Sequence, residues 1–418
     1  MRIMILSINY WPEETGIGAF TTYRAEYLAA AGHDVTVCTT FPYYPEWKVP
    51  QRYSGRLMQT EMRNGVRIVR GYAYIPNPVR TAKRIVHEAT FILGCTLRAL
   101  TQKRPDVLFV ISPPLGLGPA AIFLSRLWRI PYVFDVEDLQ PDAAAELKML
   151  PSWALNFLYR VERSAYKHAA LVSTLTHGMR DRIVSRGVPA QKVELFEPRA
   201  DESLLDLGQD EAEAFRRKYG LHDKFLVTHS GNMGFKQALG VIVEAAAMNR
   251  DDDSTVFLLV GDGAERENIQ ARIAELRLNN VRLLPLLEAN EFRGLLSASD
   301  LCLVTQQKSV SDIVFPSKVV TYLTAGRPVL GSVNGKSEVA RVICESGAGR
   351  IVEPENAKAL LTAIHELREA DLNDCSQRAR EYACRRWSST RVLGHLEKML
   401  QETCTSAPGP LAPEGAGR

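Results

Sequence analysis

The 418-residue sequence lacks several features that mark common classes of protein. Its seven cysteines are scattered, with no C-x-x-C pair and no Cys/His spacing typical of zinc, which favours a reducing compartment and no structural metal. No apolar run approaches the ~18–20 residues that a membrane span needs. The start, MRIMILSINY, is strand-like and lacks the charged segment and cleavage site of a signal peptide. We therefore expect a cytoplasmic protein.

An excess of charge of one sign is also missing. The 51 basic and 48 acidic residues give a net charge of +3, which does not indicate a nucleic-acid partner, and we expect none. A hydrophobic content of 46% and a charged content of 24% are typical of a soluble globular protein. The length predicts two domains of roughly 150–200 residues each. Any electrostatic function must then lie in local clusters of charge.

The apolar pattern alternates between strand and helix in two successive halves. The first half opens with the strand RIMILSI, a glycine-bearing loop, a helix that stops at Gly32 and the strand VTVCTT. The same alternation restarts at FLVTHSG, after a polar stretch near residues 202–220. This order predicts an α/β fold with two Rossmann-like, doubly wound parallel-sheet domains.

Pattern and composition also predict the domain boundaries. We place a first domain at residues 1–203 and a second at 204–385. Residues 386–404 form a predicted C-terminal helix that we expect to cross back to the first domain. Residues 405–418 are rich in Pro and Gly, which predicts a disordered tail.

Three glycine-bearing turns follow predicted strands. Glycine lets the backbone approach a ligand closely, and a following helix offers N–H groups to an anion. The turns are TGIG (Thr15–Gly18, with Gly16 and Gly18), SGNMGFKQAL (with Gly231, Asn232, Gly234 and Lys236) and VGDG (with Gly261 and Asp262). Ligands of open parallel sheets bind beyond the carboxyl ends of strands, so the second and third turns are expected to face one crevice. A tight turn without a ligand explains each of them equally well alone.

The stretch VFPSKVVTYLTAG has a lysine at the mouth of a helix and no acid behind it. Ser317 occupies the expected N-cap position, where its hydroxyl can satisfy a free N–H group. Lys318 in the first turn opposes the helix dipole by several tenths of a kcal/mol, which favours an anion between the two. A lysine that extends into solvent is the alternative.

Two further stretches are open to two interpretations each. FDVEDLQPD crowds Asp135, Glu137, Asp138 and Asp142 after a buried strand, where a carboxylate can orient a substrate hydroxyl or accept a proton, or can serve solvation and capping only. Residues 81–104 have basic ends and an apolar middle, which suits a membrane-surface helix or a buried helix with basic ends.

Taken in order, these stretches resemble the retaining, nucleotide-sugar-dependent glycosyltransferases of family 4. The segments that carry the likeness are INYWPEETGIG, FPYYPEW, SGNMGFKQAL, VGDG and VFPSKVVTYLTAG, so it extends to about Gln401. Within the family, the sequence is similar to bacterial colanic-acid-type fucosyltransferases and related exopolysaccharide and O-antigen enzymes. The resemblance implies a GT-B fold, with two domains facing a central cleft, an acceptor-binding first domain and a donor-binding second domain. It also implies transfer of a sugar from a nucleoside-diphosphate sugar with retention, without cofactor or metal.

The resemblance also implies roles for individual residues. Lys236 matches the family's donor-phosphate lysine, and Pro316 to Lys318 match the segment that meets the diphosphate and the sugar. Asp138 matches an aspartate near the reaction centre, which makes Asp138, Lys236 and Lys318 the candidate catalytic residues. The candidate donor-binding set adds Gly16, Gly18, Gly231, Asn232, Gly234, Gly261, Asp262, Pro316, Ser317 and Thr321. A lipid-linked saccharide acceptor would bring residues 81–104 to the inner face of the cytoplasmic membrane.

The sequence departs from the family pattern at three places. Thr321 stands where many relatives have a glutamate that holds the donor ribose, and only Asp312 lies near the first acid of that pair. EPRAD replaces the usual Pro-Asn before the second domain. Asn232 replaces an arginine, which makes Lys318 the expected second cation.

Other functions of the same fold stay open at this point. A nucleotide-sugar epimerase also pairs two such domains, and a sugar-nucleotide sensor would bind donor without catalysis. A nicotinamide-dependent oxidoreductase would need G-x-G-x-x-G after the first strand, which TGIGAFT does not supply.

Overall fold

The computed structural model describes residues 1–13, 16–146, 150–309 and 317–406. The chain divides into two units. One contains residues 1–197 together with the described residues from Val392 onward, and the other contains Pro198–Arg391. The division therefore lies at residues 197 and 198, whereas the sequence pattern placed it at 203 and 204.

The first unit contains an eight-stranded sheet. Its strands are β1 (Arg2–Leu6), β2 (Asp34–Thr40), β3 (Met58–Arg63), β4 (Val66–Gly71), β5 (Val107–Ser112), β6 (Tyr132–Val136), β7 (Leu171–Thr174) and β8 (Val193–Leu195). The spatial order is β3-β4-β2-β1-β5-β6-β7-β8. All pairs are parallel except β3 with β4, which form an antiparallel hairpin. The strand order reverses direction between β1 and β5, which makes this the switch point of a doubly wound sheet.

Helices connect these strands in the first unit. They are α1 (Gly16–Ala30), α2 (Thr81–Ala99), α3 (Leu117–Trp128), α4 (Gln140–Glu146), α5 (Ser152–His168) and α6 (His177–Ser185). The central strands β5 and β6 are buried along their whole length, because helices cover both faces of a parallel sheet.

The second unit contains a six-stranded, fully parallel sheet. Its strands are β9 (Phe225–Ser230), β10 (Thr255–Val260), β11 (Val281–Leu284), β12 (Leu301–Thr305), β13 (Val329–Ser332) and β14 (Gly349–Val352). The spatial order is β11-β10-β9-β12-β13-β14, with the switch point between β9 and β12. The predicted fold class, two doubly wound parallel-sheet α/β domains, is confirmed.

Eight helices are described in the second unit. They are α7 (Gln209–Tyr219), α8 (Gly240–Met248), α9 (Arg266–Glu275), α10 (Ala289–Ala298), α11 (Ser317–Thr324), α12 (Glu338–Ser346), α13 (Ala357–Arg368) and α14 (Leu372–Trp387). Ser317 is the first described residue of α11, and the residues directly before it lie outside the described part of the chain.

The last helix, α15 (Ser389–Ser406), packs on the first unit. Val392, Leu396, Met399 and Leu400 are buried in the same hydrophobic cluster as strands β1, β2 and β5. The helix continues through Thr405 and Ser406, which the sequence pattern assigned to a disordered tail. The rest of that tail, residues 407–418, lies outside the described residues.

No helix in the described parts of the chain is long and apolar enough to cross a membrane.

Candidate functional site

The predicted donor-binding residues of the second unit lie around the switch point of its sheet. Gly231, Asn232, Gly234 and Lys236 follow β9, and Gly261 and Asp262 follow β10. Ser317, Lys318 and Thr321 lie on α11, the helix between β12 and β13. Ligands of doubly wound sheets bind beyond the carboxyl ends of the strands at such a point. Pro316 and Asp312 lie outside the described residues.

The turns after β9 and β10 pack directly against each other. Gly231 N–H donates to the Val260 carbonyl at 2.8 Å, and Met233 N–H donates to the Asp262 carbonyl at 2.8 Å. Gly261 has φ +141°, and a Cβ atom there would lie 2.0 Å from the Gly231 carbonyl oxygen. Only glycine allows this approach. The two turns therefore form a single backbone wall at the edge of the sheet.

Lys318 extends from α11 across this wall. A Cβ atom on Gly231 would lie 2.8 Å from Lys318 Cε. Glycine at position 231 therefore leaves room for the lysine side chain. Lys318 Nζ lies 3.4 Å from Nε2 of His229, a fully buried residue of β9. No described carboxylate forms an ion pair with the ammonium group, whose polar neighbour is an imidazole.

Burial changes the protonation of both groups. Removal from water lowers the pKa of Lys318 to about 8. Burial, and then the positive charge of Lys318, holds the pKa of His229 well below its ordinary value, so the imidazole is neutral. A neutral imidazole nitrogen can accept a hydrogen bond from the ammonium group but does not balance its charge. The site is therefore prepared for an anion.

Tyr322 fixes α11 to the end of β9. Its buried hydroxyl accepts a hydrogen bond from Ser230 N–H at 2.8 Å and lies 3.0 Å from Ser230 Oγ. Ser230 directly precedes Gly231, so one contact sets the distance between the helix that carries Lys318 and the backbone wall. Sequence reasoning missed both Tyr322 and His229.

Lys236 lies in a short 3₁₀ turn, Phe235–Gln237, and is exposed. Gln307 N–H donates to its carbonyl at 2.9 Å, which ties the turn to the chain that follows β12. Its backbone is thus fixed at the switch point while its side chain reaches solvent. Thr321, at the position of the expected ribose-binding acid, donates its hydroxyl to the Ser317 carbonyl at 3.2 Å.

Asn232 and Asp262 are exposed on the two turns. Asp262 Oδ1 accepts a hydrogen bond from Gly263 N–H at 2.8 Å, a local turn contact. Gly234 begins the 3₁₀ turn of Lys236, and its carbonyl accepts from Gln237 N–H at 3.1 Å. All described donor-site candidates of the second unit thus lie on the loops and the helix that surround one edge of the sheet.

In the first unit, Gly16 and Gly18 lie in the first turn of α1, after the β1 loop. Gly16 has φ +58°, and a Cβ atom on Gly18 would lie 2.8 Å from the Glu13 carbonyl oxygen. Thr15 lies outside the described residues. Backbone conformation at Gly16 and close contact at Gly18 therefore both favour glycine.

Glu13 joins this loop to the segment after β2, and sequence reasoning did not single it out. Its buried carboxylate accepts hydrogen bonds from the N–H groups of Tyr43 and Tyr44, both at 2.8 Å, and from Asn9 Nδ2 at 2.8 Å. Burial raises its pKa above the ordinary value. The FPYYPEW segment that it holds forms an aromatic cluster, in which Tyr43 lies 5.2 Å from Trp47 and 4.7 Å from His87 between ring centroids.

The acids of FDVEDLQPD do not form one cluster. Asp135 and Glu137 are buried and both bind Arg24, at 2.8 and 2.6 Å. Burial raises the pKa of Glu137 to about 7, although Arg24 opposes the shift. Asp142 binds Arg186 at 2.5 Å. Asp138 is half-buried in the loop between β6 and α4, at the carboxyl edge of the first sheet.

Metal ligands are not gathered in the described ranges: residues 1–13, 16–146, 150–309 and 317–406 contain no group of three or more His, Cys, Asp or Glu side chains that could hold an ion. Lys236 and Lys318 are the two cations among the described donor-site candidates of the second unit, and Asp262 is the one acid among them.

Known proteins match the chain along most of its length. The Glycosyl transferase 4-like domain matches residues 15–198, and Glycosyl transferases group 1 matches residues 211–385. The colanic acid biosynthesis glycosyl transferase WcaI of Escherichia coli (strain K12) is 30% identical over 404 residues, which cover 94% of this chain and 98% of WcaI.

Solved structures share the fold at lower identity. Sucrose-phosphate synthase from Thermosynechococcus elongatus has a TM-score of 0.74 and 18% identity, and the match covers 96% of this chain and 98% of that one. HepE of Anabaena, in complex with UDP and glucose, has a TM-score of 0.70 and 16% identity, with 96% and 99% covered. The chain belongs to glycosyltransferase family 4 and is a glycosyltransferase of the GT-B type.

Proposed function

We propose that this glycosyltransferase moves a sugar from a nucleoside-diphosphate sugar to an acceptor hydroxyl with retention of anomeric configuration. The observation that carries the donor site is Lys318, a half-buried ammonium group beside a neutral imidazole and without a described carboxylate partner. A diphosphate would supply the negative charge that the ammonium group has no described carboxylate to provide. HepE of Anabaena, which shares the fold, was solved with UDP and glucose, which supports a nucleotide in this family of folds.

The proposed chemistry places positive charge where negative charge develops. As the bond between the anomeric carbon and the diphosphate oxygen breaks, Lys318 and Lys236 stabilise the leaving diphosphate together with the N–H groups of the glycine wall. The acceptor oxygen forms its bond to the same face of the anomeric carbon, and its proton leaves on a diphosphate oxygen. Asp138 orients the acceptor hydroxyl. No cofactor or metal is required in this scheme.

The acceptor proposal comes from the relatives. WcaI is named for colanic acid biosynthesis, and the fold is shared with WaaG, a glycosyltransferase involved in lipopolysaccharide biosynthesis, at a TM-score of 0.66 and 17% identity. We accordingly assign this chain to the synthesis of a cell-surface or exopolysaccharide, with a lipid-linked saccharide as acceptor. The reaction then takes place in the cytoplasm at the inner face of the membrane, with contact through residues 81–104.

A thermal-shift series with nucleoside diphosphates and their sugars tests the donor assignment. A ligand at 100 times its Kd stabilises the native state by about 2.7 kcal/mol, so UDP or GDP should raise the Tm of the full chain. The shift should be clearly smaller in Lys318→Met and should persist in Lys358→Met, a control at an exposed lysine of α13. Absence of any shift with all nucleoside diphosphates would contradict the proposal.

Product analysis separates the transferase from an epimerase of the same fold. The enzyme is incubated with the stabilising nucleotide sugar, first alone and then with a polyprenyl-diphosphate saccharide. A transferase gives a new glycosidic product in the second mixture only, and its anomeric configuration reports retention by NMR. Conversion of the donor sugar into its epimer in the first mixture would establish the alternative.

A further inference from the structure

The helices α2, α3 and α5 of the first unit expose large apolar side chains on their outer surfaces. Six of them define what is here called the apolar face: Leu93, Leu97, Phe123, Leu127, Trp153 and Phe157. Their exposed fractions range from 50% to 75%. Single exposed apolar residues are ordinary, but a set on neighbouring helices marks an interaction surface.

These helices form one continuous layer on one side of the sheet. They follow β4, β5 and β6 in turn, and each leads to the next strand in the same direction, so right-handed crossovers place all three on the same side. A Cβ atom on Gly116, which precedes α3, would lie 2.4 Å from Ile92 Cδ1 of α2. A Cβ atom on Gly118 of α3 would lie 2.6 Å from Ala165 Cβ of α5. The exposed side chains therefore belong to a single surface.

Helix α2 shows that this surface is separate from the core. One stripe, at every fourth residue, packs on the sheet and is buried: His87, Phe91, Cys95 and Ala99. Leu93 and Leu97 lie on the opposite side of the helix and are 63% and 56% exposed. A helix that serves only a core needs one apolar stripe. The second stripe requires its own explanation, because α2 is buried along one side only.

The charges around the apolar face are almost all positive. The three helices carry seven cations, Lys83, Arg84 and Arg98 on α2, Arg126 on α3, and Arg160, Arg163 and Lys167 on α5, against two acids, Glu88 and Glu162. Glu162 is buried and bound to Arg186, and Glu88 lies 3.4 Å from Arg84. Seven minus two gives a net charge of +5 on the helices of this surface.

We propose that the apolar face and its cations form a docking surface for a lipid bilayer with anionic head groups. Apolar and aromatic side chains enter the boundary between head groups and acyl chains, while lysine and arginine remain among the anionic phosphates. A second copy of the chain fits less well, because it would place the same cations against each other.

The surface also has a position that suits the proposed reaction. Trp153 and Phe157 lie in the first two turns of α5, which follows the loop after β6. A helix that returns from a strand's carboxyl end starts near that end, so these aromatic residues lie near the edge of the sheet that carries Asp138. This link to a lipid-linked acceptor rests on the proposed function, whereas docking itself does not.

Vesicle flotation of the full chain, without donor or acceptor, tests the docking surface. Vesicles of phosphatidylcholine with phosphatidylglycerol should bind the protein, with weaker binding as salt increases, and vesicles of phosphatidylcholine alone should bind it less. Trp153→Ser/Phe157→Ser and, independently, Leu93→Asn/Leu97→Asn should each lower the partition coefficient at least about tenfold. Leu286→Ser, at a leucine 70% exposed in the second unit, is the matched control and should bind as the wild type does.

Further measurements identify the group that enters the lipid. Brominated phospholipids should quench the fluorescence of the vesicle-bound wild type, and Trp153→Phe should lose most of this quenching. Arg160→Gln/Arg163→Gln should weaken binding to anionic vesicles, in contrast to the control Arg217→Gln/Lys358→Gln in the second unit.

Three results would overturn the proposal. They are no binding to phosphatidylglycerol vesicles at low salt, unchanged binding by both apolar double variants, or a dimer in sedimentation that Trp153→Ser/Phe157→Ser dissociates. Stabilisation by UDP or GDP is measured on the same preparations, so a failure of docking and a failure of the donor assignment are separate outcomes.

Discussion

At the scale of single residues, the most specific prediction concerns the role of Lys318 in nucleoside-diphosphate binding. A hydrogen bond to a charged partner contributes about 1.5–3 kcal/mol, so Lys318→Met should weaken nucleoside-diphosphate binding by about 10- to 100-fold. Loss of turnover should be at least as large, because the charge on the diphosphate increases as it leaves. Calorimetric titration measures the affinity, and circular dichroism checks the fold. Wild-type affinity in Lys318→Met would remove this residue from the donor site.

The pH dependence of binding gives a second test of the same residue. The pKa of Lys318 is about 8 in the free protein, so its charge is present below pH 8 and is lost as the pH rises. Binding of a diphosphate favours the charged form and therefore takes up a proton above pH 8. Affinity should fall by up to about tenfold per pH unit above about pH 8.

Titrations between pH 7 and about 9.5, in buffers of different ionisation enthalpy, measure both the affinity and the proton uptake. Lys318→Met should show neither the fall in affinity nor the proton uptake in this range. A wild-type affinity that stays constant up to the highest pH would contradict the assignment.

Substitution of Gly261 tests whether the close packing of the turns after β9 and β10 is required for stability. Gly261→Ala should destabilise the second unit by about 2–4 kcal/mol, because φ +141° is strained for alanine and its Cβ would lie 2.0 Å from the Gly231 oxygen. Urea unfolding measures the loss. Gly240→Ala is the control, since nothing lies within 4 Å of its Cβ position and alanine favours a helix. Equal midpoints for the two variants would show that the close approach of the turns is not required.

At the scale of elements, the position of α11 depends on Tyr322. Tyr322→Phe leaves the Ser230 N–H buried without its partner, which should cost about 1–3 kcal/mol of unfolding free energy. It should also raise the KM for the donor, because α11 carries Lys318. Tyr219→Phe removes a hydroxyl contact with Glu291 outside the core and is the control, with an expected cost below about 1 kcal/mol. An unchanged donor KM in Tyr322→Phe would separate α11 from donor binding.

Most elements could be predicted from sequence because their physical signals are local. VLFVIS and TVFLLV are continuous apolar runs because β5 and β10 are buried on both faces of parallel sheets. β3, MQTEMR, was not predicted, since it is an edge strand with alternating exposure and many polar residues. The turn Asn64-Gly65, with φ +44° and +80°, was the available signal for this hairpin.

The site could be predicted only in part, because some of its contacts join residues that are far apart in the sequence. Gly231 and Gly261 stand out in sequence, because positive φ and close backbone approach leave few other choices. His229 and Tyr322 act through partners 89 and 92 residues away, so their strand and helix gave no local sign of a contact. Asp135 and Glu137 read as candidate reactive acids but bind Arg24 of α1, which spacing alone does not reveal.

At the scale of the whole molecule, α15 makes the stability of the first unit depend on the far end of the chain. Leu396 is fully buried among strands of the first unit. Leu396→Ala should cost about 2–5 kcal/mol and should expose amides of the first unit to hydrogen exchange. Lys398→Ala, on the exposed side of the same helix, is the control. Equal exchange in both variants would show that α15 does not support the first unit.

The central claim is that the second unit holds a nucleoside diphosphate at Lys318 and the glycine wall. The most direct measurement is isothermal titration of the full chain with UDP and with GDP at pH 7, for the wild type, Lys318→Met and Lys358→Met. The claim predicts that at least one nucleotide binds the wild type and Lys358→Met equally, and binds Lys318→Met about 10- to 100-fold more weakly. Binding of neither nucleotide by the wild type, or equal binding by all three proteins, would contradict it.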